Sequence, residues 1–159
     1  MIEGWHRDDY FILFETTEIA RMNELYGIRA YLKDYTAVGL LSWDNFILID
    51  KSKRLFTAPT VPLVAEHLAA FSFPPDLGAL QRDERFAGKV KWYIKPIVFG
   101  GDPSSKENMA WISVEGHAPF VRWWNDTYRA IAKGQEPNQH LRSSEQGKSG
   151  GEVEGLSER

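Results

Sequence analysis

Apolar positions in this chain fall in short runs separated by charged residues, glycines and prolines, and the period within each run predicts an element. Residues 1–9 are polar apart from Ile2 and Trp5, so the first predicted strand is the run from Tyr10 through Phe14. Ile19, Met22 and Tyr26 share a helical face behind Thr17 as N-cap and Glu18 in the first turn, which predicts a helix over 17–26 stopped by Gly27. Residues 36–41 and 46–49 read as paired strands across a turn at Ser42-Trp43-Asp44-Asn45. Residues 55–58 form another short strand that Pro59 ends. Thr60 as a cap, with Val61, Val64, Leu68 and Phe71 as a stripe, predicts a helix over 60–71. Pro74 to Gly88 is a loop of mixed charge anchored by Leu77, Leu80 and Phe86.

The β-branched and aromatic residues between Val90 and Phe99 predict a further strand, with Pro96 placing it at an edge or a bulge. Gly100-Gly101-Asp102-Pro103 then supplies a turn: glycines reach positive φ, Asp102 bonds nearby amides, and Pro103 presets φ for a first helical turn. Ser113 and Glu115 mark the start of a last helix whose regular part opens at Pro119, runs over 119–132 and stops at Gly134. Phe120, Val121, Trp124, Tyr128 and Ile131 form its apolar stripe. That spacing puts Trp124 in the core and Trp123 at the border, beside a polar face of Arg122, Asn125, Asp126 and Arg129. The predicted architecture is a single α+β domain over 1–134, with a mostly antiparallel central sheet of about five strands flanked by helices, and a C-terminal amphipathic helix. Residues 135–159 turn to Gly, Ser, Glu, Gln and Lys without an aromatic residue, and are expected to be a disordered polar tail.

Composition narrows the function. A chain of 159 residues with 43% apolar content suits one domain. A net charge of −3 gives no electrostatic footprint for nucleic acid. There is no cysteine for disulfides or thiol ligands, no apolar run long enough to span a membrane and no secretory signal at Met1, so a cytoplasmic location is expected.

Candidate chemistry is thin. His6, His67, His117 and His140 have no metal-ligand spacing, no nucleophile elbow occurs, and no Lys-Ser or Lys-Thr follows the glycine pair to make a phosphate cradle. Neither metal nor cofactor is expected. Asp102, Glu107, Glu115 and His117 are the candidates for acid–base work, although capping accounts for Asp102 and Glu115 without a substrate. Aromatic residues are better supplied. Trp5, Trp43, Trp92 and Trp123, with Asp34, Asp44 and Asp50, offer anchors and acidic groups for binding a protein partner. Trp43, in a turn, either folds back over the sheet or faces that partner.

Several of these residues carry a family likeness. Gly100-Gly101-Asp102-Pro103, Asn108, Trp111, His117, Val121-Arg-Trp-Trp124-Asn125 and Tyr128-Arg129 resemble the C-terminal signature of the SUKH superfamily. Residues 20–26, 31–35 and 37–39 are similar to its helix, tyrosine-leucine segment and first core strand. The likeness spans roughly residues 10–132. Lys33-Asp34 departs from the usual proline-glycine, and residues 40–45 replace the glycine-rich turn of many members. The resemblance implies a non-catalytic immunity protein that binds and neutralises a cognate bacterial toxin, with Gly100, Gly101, Asp102, Pro103, Asn108, Trp111, Trp124 and Asn125 as structural signature. Trp43, Asp44, Trp92 and Trp123 are the candidate partner-binding residues. A small enzyme, a hydrolase or another, with a site near Asp102, Glu115 and His117, and a housekeeping regulator of the cell-wall-synthesis type are the alternatives.

Overall fold

The structure, a computed structural model, describes residues 1–134. The domain is α+β. Strands β1 (Ile2–His6), β2 (Asp9–Leu13), β3 (Thr36–Leu41), β4 (Asn45–Ile49), β5 (Leu55–Pro59) and β6 (Ala69–Ala70) form a six-stranded sheet in chain order, each pair antiparallel. Helices α1 (Ile19–Tyr26) and α2 (Ile28–Tyr31) lie between β2 and β3. A second, two-stranded antiparallel sheet pairs β7 (Lys89–Tyr93) with β8 (Met109–Ser113), and α3 (Val114–Ala132) ends the described chain. No helix among the described residues is long and apolar enough to cross a membrane.

The alternation of each strand divides its side chains between two faces. Tyr10, Ile12, Leu40, Phe46 and Leu48 enter one core with Met22, Tyr26 and Ile28 from the helices, Val90 and Trp92 from β7, and Ala118 and Val121 from α3. Phe11 points to the opposite face of the sheet, where Phe73 packs against it at 6.1 Å and Phe71 against Phe73. Helix α1 stops where the sequence says. Gly27 is left-handed at φ 66° and its N–H reaches back to the carbonyls of Asn23 and Glu24. Helix α3 then locks this corner: Arg122 Nη1 donates to Leu25 O at 3.1 Å, Arg129 Nη1 to Ala30 O at 2.6 Å, and the Tyr31 hydroxyl to Asp126 at 2.8 Å.

Five expectations need correction. Residues 2–6, left outside any element, are β1: Glu3, a charged residue, turns inward, accepting from Tyr10 Oη at 2.9 Å and from Gly88 N at 2.9 Å. The helix over 60–71 does not form. That segment is extended, with a single 3-10 turn at Ala65–His67 and then β6, because the Asn125 side chain takes its backbone groups: Leu63 N donates to Asn125 Oδ1 at 2.7 Å and Asn125 Nδ2 donates to Thr60 O at 2.8 Å. The strand over 90–99 ends at Tyr93, and Pro96 opens a 3-10 turn at Ile97–Phe99. Pro103 leads into a turn and one 3-10 turn at Lys106–Asn108, with no regular helix. Helix α3 begins at Val114, where Ser113 Oγ accepts from Gly116 N at 2.9 Å, so Pro119 lies inside it.

The stripe of α3 is also rotated from the expected one. Val114, His117, Ala118, Val121, Asn125 and Thr127 are its buried residues, whereas Phe120 and Ile131 are exposed. Trp124 is half-buried, resting against the core with its ring 4.6 Å from Phe99, and is not a core residue. Asn125, expected on the polar face, is 1% exposed. Gly134, the expected stop, has φ 81° and donates to Ile131 O.

Candidate partner-binding cleft

Between the β4–β5 end of the large sheet and the β7 end of the small one lies a cleft of about 230 Å³. Three segments wall it: Trp43-Asp44-Asn45, Pro59-Thr60-Val61, and β7 with the loop after it. His117 of α3 also lines it. Three of the four candidate partner-binding residues, Trp43, Asp44 and Trp92, thus share one cavity. Trp123 does not line it; its ring packs edge-on against Trp124 at 4.7 Å on α3.

The Trp43 wall is built from strained backbone. Ser42 and Trp43 both have positive φ, 49° and 66°, a conformation that costs an L-residue roughly 1–2 kcal/mol. Cross-links hold the turn: Ser42 N donates to Tyr10 O at 2.7 Å, Asp44 N to Ser42 O at 2.8 Å, and Thr60 N to Asp44 O at 3.0 Å. The side chain folds back, as one of its two expected placements had it. Trp43 stacks on Tyr10 at 5.1 Å and meets Trp111, Phe86 and Trp5 edge-on at 5.0, 5.4 and 5.9 Å. Its Nε1 is buried without a hydrogen-bond partner among the described residues. Trp5, a candidate anchor, belongs to this cluster, and its Nε1 donates to Asp83. Beside Trp43, Asp44 is exposed as a residue. Burial nonetheless raises its carboxyl from the ordinary value, an effect partly offset by the Lys91 charge and the Asn45 amide.

The opposite wall accounts for the glycine pair at 100–101. Gly100 is left-handed at φ 92°, and a Cβ on Gly101 would run into the Lys95 carbonyl oxygen. Asn108 continues the β7–β8 ladder with its side chain: Lys95 N donates to its Oδ1 at 2.8 Å and its Nδ2 donates to Lys95 O at 3.0 Å. Asp102 caps its own turn through Ser104, whose amide and hydroxyl hold its carboxyl below the usual range. The effect is to present Ile97 and Val98, 53% and 49% exposed, at the rim of the cleft. Phe120, also exposed, stacks on Trp92 at 5.8 Å. Asn125 therefore holds up one wall of the cleft and Gly101 and Asn108 the other, while Trp111 backs Trp43. Ile97, Val98 and Phe120 were not legible as binding residues: the strand predicted through Ile97 and Val98 ends at Tyr93, and Phe120 sat in the predicted apolar stripe of α3, whose buried face is rotated away from it.

At the base, the Tyr26 hydroxyl and His117 Nδ1 are 2.7 Å apart. The phenol has no other acceptor among the described residues, so it donates and His117 carries its proton on Nε2. Burial pushes the imidazole pKa down to about 3 and holds the Tyr26 hydroxyl protonated. The alternative catalytic set is not assembled. His117 is buried, Glu115 is exposed and faces Arg21 at 3.6 Å, and Asp102 and Glu107 sit in an exposed loop. Of the other acids, Asp34 pairs with Lys51 and Asp50 with Arg54, away from the cleft. Among the described residues no group of three or more His, Asp and Glu side chains is placed to hold a metal ion. No family model matches the chain, and neither a curated protein nor a solved structure does.

Proposed function

We propose that this protein works by stoichiometric binding of a protein partner at the cleft, as an immunity protein that neutralises a cognate bacterial toxin. The observation carrying the binding reading is that Trp43, Asp44 and Trp92 line one cavity whose rim holds exposed Ile97 and Val98, with stacked Phe120 beside Trp92. Aromatic walls, an exposed aliphatic rim and a charged group at the mouth are the makings of an interface anchor. The toxin as partner rests on the resemblance of the 100–129 signature. Here those residues act as scaffold, which leaves the rim free to vary with the partner.

The test co-expresses the chain with each toxin-like product of the open reading frames that neighbour its gene, and takes as the partner one whose toxicity the chain suppresses. Ile97→Glu with Val98→Glu should abolish protection of cells expressing that toxin and remove complex formation in titration calorimetry. Stability should stay within about 0.5 kcal/mol, because both side chains are exposed. Full protection by the double variant, or turnover of a substrate by the purified wild-type chain, would defeat the proposal.

A further inference from the structure

The cleft runs along a strand edge. Successive side chains of a strand point to opposite faces, yet Lys91, Trp92 and Tyr93 all line the cavity, so what borders it is the side of β7 away from β8. The ladder's phase fixes which backbone groups lie there. Ile94 N donates to Asn108 O at 2.8 Å, and Tyr93 pairs with Met109, so the hydrogen-bonded positions of β7 are Trp92 and Val90. The N–H and C=O groups of Lys91 and Tyr93 therefore point outward, and they have no partner among the described residues. Lys89 N, also outward, is already taken by Phe86 O at 2.9 Å.

Other edges differ. The large sheet closes β1 with Gln81, which exchanges two backbone bonds with Trp5 at 2.8 and 3.1 Å, and β6 has two residues. On the outer edge of β8, Met109 N donates to Lys106 O, and no β8 residue lines the cleft. Resting on the binding reading above, we propose that β7 receives an extended, acidic and apolar segment of the partner protein as an added antiparallel or parallel strand, its backbone pairing with Lys91 and Tyr93 and one apolar side chain entering the cleft between Trp43 and Trp92. Strand addition of this kind takes affinity from main-chain bonds and specificity from the pocket.

Charge selects the occupant. Lys89, Lys91 and Lys95 lie on or just beyond β7, none in an ion pair among the described residues, and Asp44 is the facing acid. Opposite charges across a ladder favour pairing and like charges oppose it. An acidic guest fits. A second copy pairing β7 with β7 would set lysines against lysines. The chain's own residues 135–159 carry apolar side chains only at Leu141, Val153 and Leu156 and never at alternate positions, so they suit the pocket and rim poorly.

Random peptides displayed on phage are selected on the full chain, and an enriched peptide is synthesised with single backbone N-methyl groups. The expected peptides alternate apolar and other residues and carry Asp or Glu. Methylation at alternate positions should weaken binding on the order of tenfold per lost bond. In labelled wild-type protein, the amides of Lys91 and Tyr93 should shift on binding. Tyr93→Pro removes an outward N–H and no ladder bond, so it should weaken the peptide by a similar factor while the far-ultraviolet spectrum stays unchanged; if that variant does not fold, the wild-type amide shifts decide. Tolerance of methylation at every position, or unmoved Lys91 and Tyr93 amides, overturns strand addition. So does displacement of the peptide by a synthetic peptide of residues 135–159, or a dimer in sedimentation that the peptide dissociates. If strand addition fails in this way while Ile97→Glu with Val98→Glu still abolishes protection, the cleft reading survives it; if that variant protects fully, the cleft reading fails on its own.

Discussion

His117 and Asn125 show how single buried polar residues set the shape of α3 and of the cleft it underlies. His117 is held neutral by burial, with its pKa lowered to about 3 against about 6.5 in an unfolded chain. The unfolded state then binds more protons than the native state as pH falls below 6.5, so this contribution to stability is present above pH 6.5 and declines toward pH 3. The slope approaches 1.4 kcal/mol per pH unit. Urea unfolding of wild type should lose about 2 kcal/mol more between pH 7 and pH 5 than His117→Gln, which keeps a partner for Tyr26 without a titrating ring. Equal losses would show that His117 is not buried as a neutral base. Asn125 bonds Leu63 N, Thr60 O and Val121 O. Asn125→Ala should cost about 2–3 kcal/mol in the same melts, because it strands buried backbone groups of another segment. A helical wheel puts Asn125 among polar neighbours; its partners lie some sixty positions upstream, and no local pattern reports them.

At the scale of elements, periodicity was a good guide wherever tertiary contacts agreed with it. Strands β2 to β5 and the C-terminal ends of α1 and α3 were legible because alternation, Gly27 and Gly134 all carry local signals. The segment 60–71 has a helical spacing of apolar residues, yet Asn125 captures its backbone and the helix loses to the loop. β1 was illegible because its inward position is taken by Glu3, a residue type that is seldom buried. The cleft was half legible: Trp43, Asp44 and Trp92 could be chosen as aromatic and acidic residues, but their meeting depends on where two sheets end. Two measurements follow. Gly101→Ala should cost about 1–3 kcal/mol, since a Cβ must push the Lys95 carbonyl aside and with it the wall carrying Ile97 and Val98. In free wild type, the amides of Lys91 and Tyr93 should exchange with solvent much faster than those of Val90 and Trp92, as the ladder phase requires. Uniform protection along β7 would mean that its outer edge is covered.

The described residues build two sheets that share one aromatic junction. Trp43 comes from the β3–β4 turn of the large sheet and Trp111 from β8 of the small one; they meet edge-to-face at 5.0 Å, and Phe86 stacks on Trp111 at 4.7 Å. Trp5 and Tyr10 close the cluster from β1 and β2. Besides this junction, α3 ties the small sheet to the rest: His117 meets Trp92 of β7 on one side and Tyr26 of α1 on the other, and Asn125 bonds the segment after β5. Edge-to-face pairs are worth roughly 0.5–1.5 kcal/mol beyond the area they bury. A double-mutant cycle on Trp43→Ala and Trp111→Ala should therefore give a coupling of that size, with the double variant losing less than the sum of the singles. Trp43→Ala alone should cost less than the usual 3–5 kcal/mol for a buried aromatic, because it also removes an unpaired indole N–H. Trp43→Ala should widen the cleft that this side chain lines, so peptide affinity should fall together with stability, in contrast to rim substitutions at Ile97 and Val98 that act on binding alone. Additive effects of the two tryptophans would mean that the sheets are joined through α3 only, and that the turn carrying Asp44 is positioned independently of β8.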